Sequence, residues 1–289
     1  TIGLVLTLAA LALVAEIVGC VRQRRIAQVP KAIVAWGVLP LLPCALAWAV
    51  SAAHGPGWLQ VVAAIALVVP IAPLLARLTL QPIADASVLV LLIVSLALHF
   101  LLSGLGLLFF GPEGSRTHPL VDATWTIAEG YSIGGQTLLM VASALVLSGL
   151  FFLFFEHTLT GKALRATAVN RVGARLVGIR PAKTAMLAYT GASLLAGMIG
   201  VLIAPVTTMY YDSGFILGLK AFIAAIIGGL VSYPLTALGA IAVGIFESFA
   251  SFWSGEMKDV LVFSLLIPVL LLRSWLATQT DEDEEEIDE

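Results

Sequence analysis

The side chains able to do chemistry are few, and most sit where a charge is expensive. Lys220 and Glu247 lie in apolar stretches on either side of Tyr233, His99 near the middle of another, and Glu16 interrupts a fourth. A charge inside hydrocarbon is usually paired or functional. Lys220 precedes Tyr233 by 13 residues and Glu247 follows it by 14, so an antiparallel helical hairpin turning there sets the two at similar depth. The spacing predicts an ion pair or a shared polar network. Its role is either to hold the hairpin or to contact a zwitterionic or carboxylate substrate. His99 reads as a hydrogen-bonded packing residue, with a ligand or proton-relay role as the alternative. Glu16 is either buried against other helices or carried as the neutral acid.

Enzyme chemistry has no constellation to rest on. The chain lacks an H-E-x-x-H motif, an aspartate pair at metal-binding spacing, a G-x-S-x-G elbow and a phosphate-cradling G-x-x-x-x-G-K-[ST] loop. The expectation is a non-enzyme with no metal site and no cofactor bound by this chain. Cys20 and Cys44, the two cysteines, lie in apolar runs and form neither a disulfide framework nor a metal-ligand spacing. Basic residues flank apolar runs without interleaved aromatics, which gives nucleic-acid binding no support.

The elements that must position these residues are set by composition. Of 289 residues, 60% are hydrophobic and 11% charged, with a mean hydropathy of +1.04. Soluble chains carry about 25% charged residues, so the solvent of this one is largely hydrocarbon. Cutting the chain where charge, Pro and Gly interrupt runs of about 20 apolar residues gives nine spans. They are Ile2 to Val21, Ala32 to Val50, Trp58 to Leu78, Ser87 to Phe110, Gly134 to Phe155, Thr184 to Pro205, Phe215 to Val231, Leu235 to Ser251 and Val260 to Leu272. The short seventh and eighth read as a tight hairpin, partly re-entrant. The expected fold class is an all-α polytopic membrane protein with about eight or nine transmembrane helices. A single transmembrane domain covers 1–279, and an acidic disordered tail covers 280–289.

Orientation follows from Lys and Arg, which resist translocation. Arg22 to Lys31 holds four bases and no acid, and Lys162 to Lys183 holds six and no acid. Both are expected in the cytoplasm, with Arg77, Arg273 and the C-terminus; the N-terminus and the loop Gly111 to Gly130 are expected outside. Ile17 to Cys20 mimic the box before a lipid-modified cysteine, but no basic region precedes them and Glu16 interrupts the run, so a retained first span is expected. Gly191, Gly197, Gly200, Gly228, Gly229, Gly239 and Gly244 are expected to let helix backbones approach closely, with lining of the conduit or helix flexing as the alternative for a subset.

The longest polar stretch between spans, Gly161 to Lys183, reads GKALRATAVNRVGARLVGIRPAK. Ala163, Leu164, Thr167, Ala168, Val172, Leu176 and Val177 recur at three- and four-residue steps, and Arg165, Arg171 and Arg175 take much of the remaining surface. This predicts one amphipathic helix, ended by Gly178 and Pro181. On physics alone it lies on anionic headgroups or docks into a groove on a partner.

The same residues carry a resemblance. Gly161, Ala163, Leu164, Arg165, Ala166, Ala168, Asn170, Ala174, Leu176, Gly178 and Ile179 resemble the cytoplasmic loop of ABC importer permeases of the branched-chain amino-acid type. The likeness continues through Ala196 and Gly197, Gly214 to Phe222, Gly228 and Gly229, Gly239, Gly244, Glu247 and Ser248, Lys258 and Asp259, and Arg273. It runs from about Leu75 to Arg273, and the first 70 or so residues depart from it.

The resemblance implies a bacterial inner-membrane permease subunit for a branched-chain amino acid or similar small polar solute. It implies that the loop is a coupling helix seated in an ATPase cleft, with Arg165, Ala166, Asn170, Arg171, Arg175 and Gly178 as coupling residues. Lys220, Glu247 and His99 become candidates for the substrate path. The implied partners are a second permease subunit (a heterodimer before a homodimer), two cytoplasmic ATPase subunits holding ATP and Mg, a periplasmic or extracellular binding protein, and membrane lipid. The rivals are an ion-gradient-driven secondary transporter, for which no internal repeat is found, and a non-transporting scaffold.

Overall fold

The computed structural model describes residues 2–22, 30, 33–53, 55–84, 86–128, 131–229 and 232–271. The tail over 280–289, Arg273 and most of the basic stretch between Arg22 and Lys31 lie outside those residues. Helices dominate, because a backbone amide in hydrocarbon finds no water and an α-helix satisfies its donors and acceptors within its own segment. Among the described residues, five helical stretches are long and apolar enough to cross a membrane: Gly57–Leu80, Leu89–Phe110, Gly135–His157, Pro181–Ile203 and Tyr233–Trp253. Three shorter apolar helices, Ile2–Val18, Trp36–Ala52 and Ser213–Ile227, accompany them.

The chain divides into two compact units. The first comprises Thr1–Ser143 and Phe155–Tyr211. Within it α1 (Ile2–Arg22) is followed by a π-helical turn, Ile33–Val38, that leads into α2 (Leu39–Ala52). The third expected span is interrupted, as α3 (Gly57–Val68) and α4 (Ile71–Leu75) with a π-helical continuation over Ala76–Leu80. Pro70 and Pro73 explain the break, since each lacks the N–H that an unbroken helix requires. Leu4, Leu8, Ala9 and Ala12 of α1 pack with Leu74 and Leu75 of α4 to make the main core. Next comes α5 (Val88–Phe110), capped by Ser87, whose hydroxyl accepts from the Val90 amide at 3.5 Å.

The connection after α5 departs from the all-α expectation. Strands β1 (Thr124–Ala128) and β2 (Tyr131–Gly134) pair antiparallel, Trp125 opposite Ile133, and lead into α6 (Gly135–His157). β-branched and aromatic residues interleaved with small polar ones favour a strand, and a hairpin is possible here because this sequence lies between apolar runs. Buried Gln136 fastens the loop: it accepts from the Leu120 amide at 3.0 Å and donates to the Leu202 carbonyl at 2.8 Å. Arg116 adds bonds to the Pro205 and Val206 carbonyls at 3.0 and 3.2 Å. The first unit closes with α7 (Leu159–Val169), α8 (Arg171–Leu176) and α9 (Pro181–Ile203). Ser193 of α9 donates to the Val68 carbonyl at the end of α3 at 2.8 Å.

The second unit comprises Ala144–Phe154 and Asp212–Glu289. Its described core is Ile223 and Ala224 of α10 (Ser213–Ile227), Val243 of α11 (Tyr233–Trp253) and Val262 of α12 (Lys258–Ser264). The two expected hairpin spans are unequal, 15 and 21 residues. Of the ninth expected span, α12 supplies seven residues and the chain is helical again over 266–271. Pro268 accounts for the interruption, because it cannot donate to the Ser264 carbonyl. Gly239 earns its place by close approach: a Cβ there would lie 2.7 Å from the Ala224 carbonyl oxygen. Gly191, Gly200 and Gly244 have no other part of this chain within 4 Å of an added Cβ.

Candidate functional site

Thr158 starts the polar segment by accepting the Gly161 amide at 3.0 Å. The single helix expected through Val177 is two helices. Asn170, at φ −147° and ψ 103°, ends α7, and its side-chain oxygen accepts the Gly173 amide at 2.9 Å to cap α8. Asn favours such a cap over a helix interior because its amide competes for nearby backbone donors. Gly178, at φ +82°, ends the turn after α8 in the left-handed region where a Cβ is disfavoured. Pro181 then opens α9 in its first turn, where no amide donor is needed.

The apolar positions of the segment divide between two directions. Ala163, Leu164 and Thr167 are half-buried and Ala174 is buried, whereas Val169, Val172, Leu176 and Val177 are 78%, 67%, 84% and 75% exposed. The three arginines do not form one outward polar face either. Arg165 pairs with Glu156 at 3.3 Å. Arg171 donates to the Ala84 carbonyl at 2.8 Å, and both Arg171 and Arg175 line a cavity on the inner side of the segment.

That cavity, about 870 Å³, is also lined by Glu16, Arg77, Gln81 and Tyr189. Arg77 bonds to Glu16 and to Gln81, and its guanidinium lies 5.8 Å from the centre of the Trp36 ring. Gln81 reaches the Ala182 carbonyl at 3.5 Å. The question left open for Glu16 is answered by this partner. Sequence reasoning missed the pair, although a signal existed: both residues fall near the end of an apolar run that the positive-inside count assigns to the same side.

In the second unit Lys220 sits between two carboxylates, 2.5 Å from Glu247 and 2.8 Å from Asp259. The hairpin spacing anticipated Glu247 but not Asp259, which α12 brings back beside the hairpin. Only 14% of the Lys220 side chain is exposed. His99 lies in the first unit beside Phe100, ring centres 5.5 Å apart, and does not line the 870 Å³ cavity. Among the described residues no group of His, Cys, Asp and Glu is arranged to hold a metal ion.

Comparison with known proteins adds a second line of observation. Residues 32–270 match the family described as branched-chain amino acid transport system, permease component. That match begins at residue 32, inside the first 70 or so residues in which the motif likeness is not seen. The chain is 29% identical over 228 residues to the high-affinity branched-chain amino acid transport system permease protein LivH of Escherichia coli strain K12, covering 75% of this chain and 73% of the relative. It is 37% identical over 144 residues to the corresponding protein BraD of Pseudomonas aeruginosa, covering 48% and 45%. A probable LivH of Methanocaldococcus jannaschii is 27% identical over 211 residues, covering 69% and 65%. No solved structure matches the chain.

Proposed function

The chain belongs to the family of branched-chain amino acid transport permease components and is the membrane permease subunit of an ABC importer, and from that premise we propose that α7 and α8 are the surface through which separate ATPase chains drive it. It is a multi-pass membrane protein and a transport component rather than an enzyme; the ion-gradient reading gives way to the family. One observation carries the coupling proposal. Val169, Val172, Leu176 and Val177 are at least two-thirds exposed on a segment outside the long apolar helices. Large apolar side chains displayed together in that setting fit a partner's groove.

The remaining coupling residues serve this surface in different ways. Asn170 and Gly178 set the angle and end of α8, Arg171 ties its inner side to the Ala84 carbonyl, Arg175 lines the cavity beside it, and Arg165 and Ala166 stand on the exposed side of α7. ATP and Mg are held by two cytoplasmic ATPase subunits, and their closure shifts the permease between inward- and outward-open populations. A second, similar permease subunit completes the substrate path in the bacterial inner membrane. An external binding protein delivers the solute to the side of the β1–β2 loop. The names of the relatives support a branched-chain amino acid or similar small polar solute as cargo. Lys220 with Glu247 and Asp259 supplies opposite charges suited to the two ends of a zwitterion, with His99 as a further candidate along the path.

The test is co-purification of the assembled importer. Val172→Asp with Leu176→Asp is expected to insert normally and to lose the ATPase chains. Full retention of those chains by the double variant would contradict the proposal.

A further inference from the structure

The Glu16–Arg77 pair, which lines the cavity of the first unit, is incompletely bonded on both sides. Nε and Nη2 of Arg77 meet Glu16 Oε1, and Nη1 meets Gln81 Oε1. A guanidinium carries a second N–H on each terminal nitrogen, and neither finds an acceptor among the described residues. Glu16 Oε2 finds no donor among them either, and only 14% of that side chain is exposed. A carboxylate oxygen so sheltered is costly unless a donor reaches it. The pair therefore calls for a donor beside Glu16 and an acceptor beside Arg77, while its own two charges cancel.

Leu78, Leu80, Leu91 and Leu164 line the same cavity, so the pair stands beside hydrocarbon. A solute that answers all of this has an ammonium, a carboxylate and an aliphatic side chain. In an α-amino acid both charged groups sit on one carbon, so they can straddle a pair already in contact. A plain anion supplies the acceptor alone, leaves Glu16 unanswered and brings net charge to a neutral pair. We propose that the cavity is a binding site for an aliphatic α-amino acid, its ammonium on Glu16 Oε2, its carboxylate on the remaining N–H groups of Arg77 and its side chain against Leu78 and Leu91. The site uses neither Arg171 nor Arg175, and it is separate from the Lys220 cluster, which belongs to the second unit. Its walls come from the ends of α1, α5 and α9 and from the polar segment, the side on which ATPase docking is proposed, so a solute held there is close to release. The ligand is the cargo proposed above, and the site rests on that reading for its substrate.

The test is equilibrium binding of radiolabelled L-leucine to the purified full-length chain in detergent. Lys220→Met with Glu247→Gln and Asp259→Asn serves as the background, so that the cluster of the second unit adds nothing to the signal. That background should bind leucine. Adding Glu16→Leu with Arg77→Leu should weaken binding by about tenfold or more. Ala185→Phe, which narrows the cavity and leaves the pair in place, should weaken it too, and decides the matter if the double leucine variant does not fold. If the background itself does not fold, Ala185→Phe in the native chain should cost one equivalent of bound leucine. Unlabelled glycine, 4-methylpentanoate and 3-methylbutylamine lack the side chain, the ammonium and the carboxylate in turn, and each should compete about tenfold less well than leucine. Leucine bound by the native chain but not by the background would overturn the site and leave the Lys220 cluster standing. No binding by either chain, or competition by 4-methylpentanoate equal to that of leucine, would overturn it as well. The cargo reading is tested apart, by leucine uptake through the assembled native importer: binding without uptake would keep the site and remove that reading.

Discussion

Glu16 and Arg77 stand 61 residues apart in sequence and meet at the cavity wall, with 14% and 39% of their side chains exposed. Removing one member of a buried pair leaves an uncompensated charge, whereas removing both leaves none. Because Arg77 keeps some solvent, Glu16→Leu alone is expected to cost about 1–3 kcal/mol, and Glu16→Leu with Arg77→Leu much less. Thermal unfolding in detergent separates the two, and equal losses would refute the pairing as a stability element. Lys220 follows the same logic with two carboxylates. Lys220→Met should destabilise by about 3 kcal/mol, and adding Glu247→Gln and Asp259→Asn should restore much of it. On the cargo reading the triple variant still assembles and no longer takes up solute; normal uptake by it would reduce the cluster to a structural role.

Among the elements, the break at Asn170 matters most. It turns what would be one long helix into two short ones, which lets Val172 and Leu176 of α8 face outward while Leu164 of α7 packs inward. Losing the cap costs about 1 kcal/mol, and a helix running on from α7 would rotate α8 off its present face. Asn170→Ala is therefore expected to lower solute transported per ATP hydrolysed, and Asn170→Asp, which can still cap, to restore it. A transport ratio unchanged in the alanine variant would count against the break as the device that aims the surface. The paired π-helical turns, Ile33–Val38 and Ala76–Leu80, lie beside the prolines and carry Trp36 and Arg77, so irregular backbone again coincides with the polar network.

Across the whole molecule, what could be read in advance divides by the range of the forces involved. Spans such as Ser87 to Phe110 and Thr184 to Pro205 were legible because length and hydropathy are local, and helices occupy Val88–Phe110 and Pro181–Ile203. The contact of Lys220 with Glu247 was legible because a tight hairpin converts sequence spacing into depth. Asp259 and the Glu16–Arg77 pair were not, since they depend on which helices become neighbours. The outward turn of Val172 and Leu176 was hidden for another reason. Periodicity finds an apolar face without saying whether the chain itself or a partner covers it.

The most direct measurement is cross-linking in the assembled importer, with Cys20 and Cys44 replaced and Leu176→Cys as the sole thiol. A short bifunctional reagent should join that position to an ATPase chain, with a yield that changes when ATP is bound. Failure to link to any partner, together with labelling of the thiol by a membrane-impermeant reagent added from outside the cell, would contradict the account.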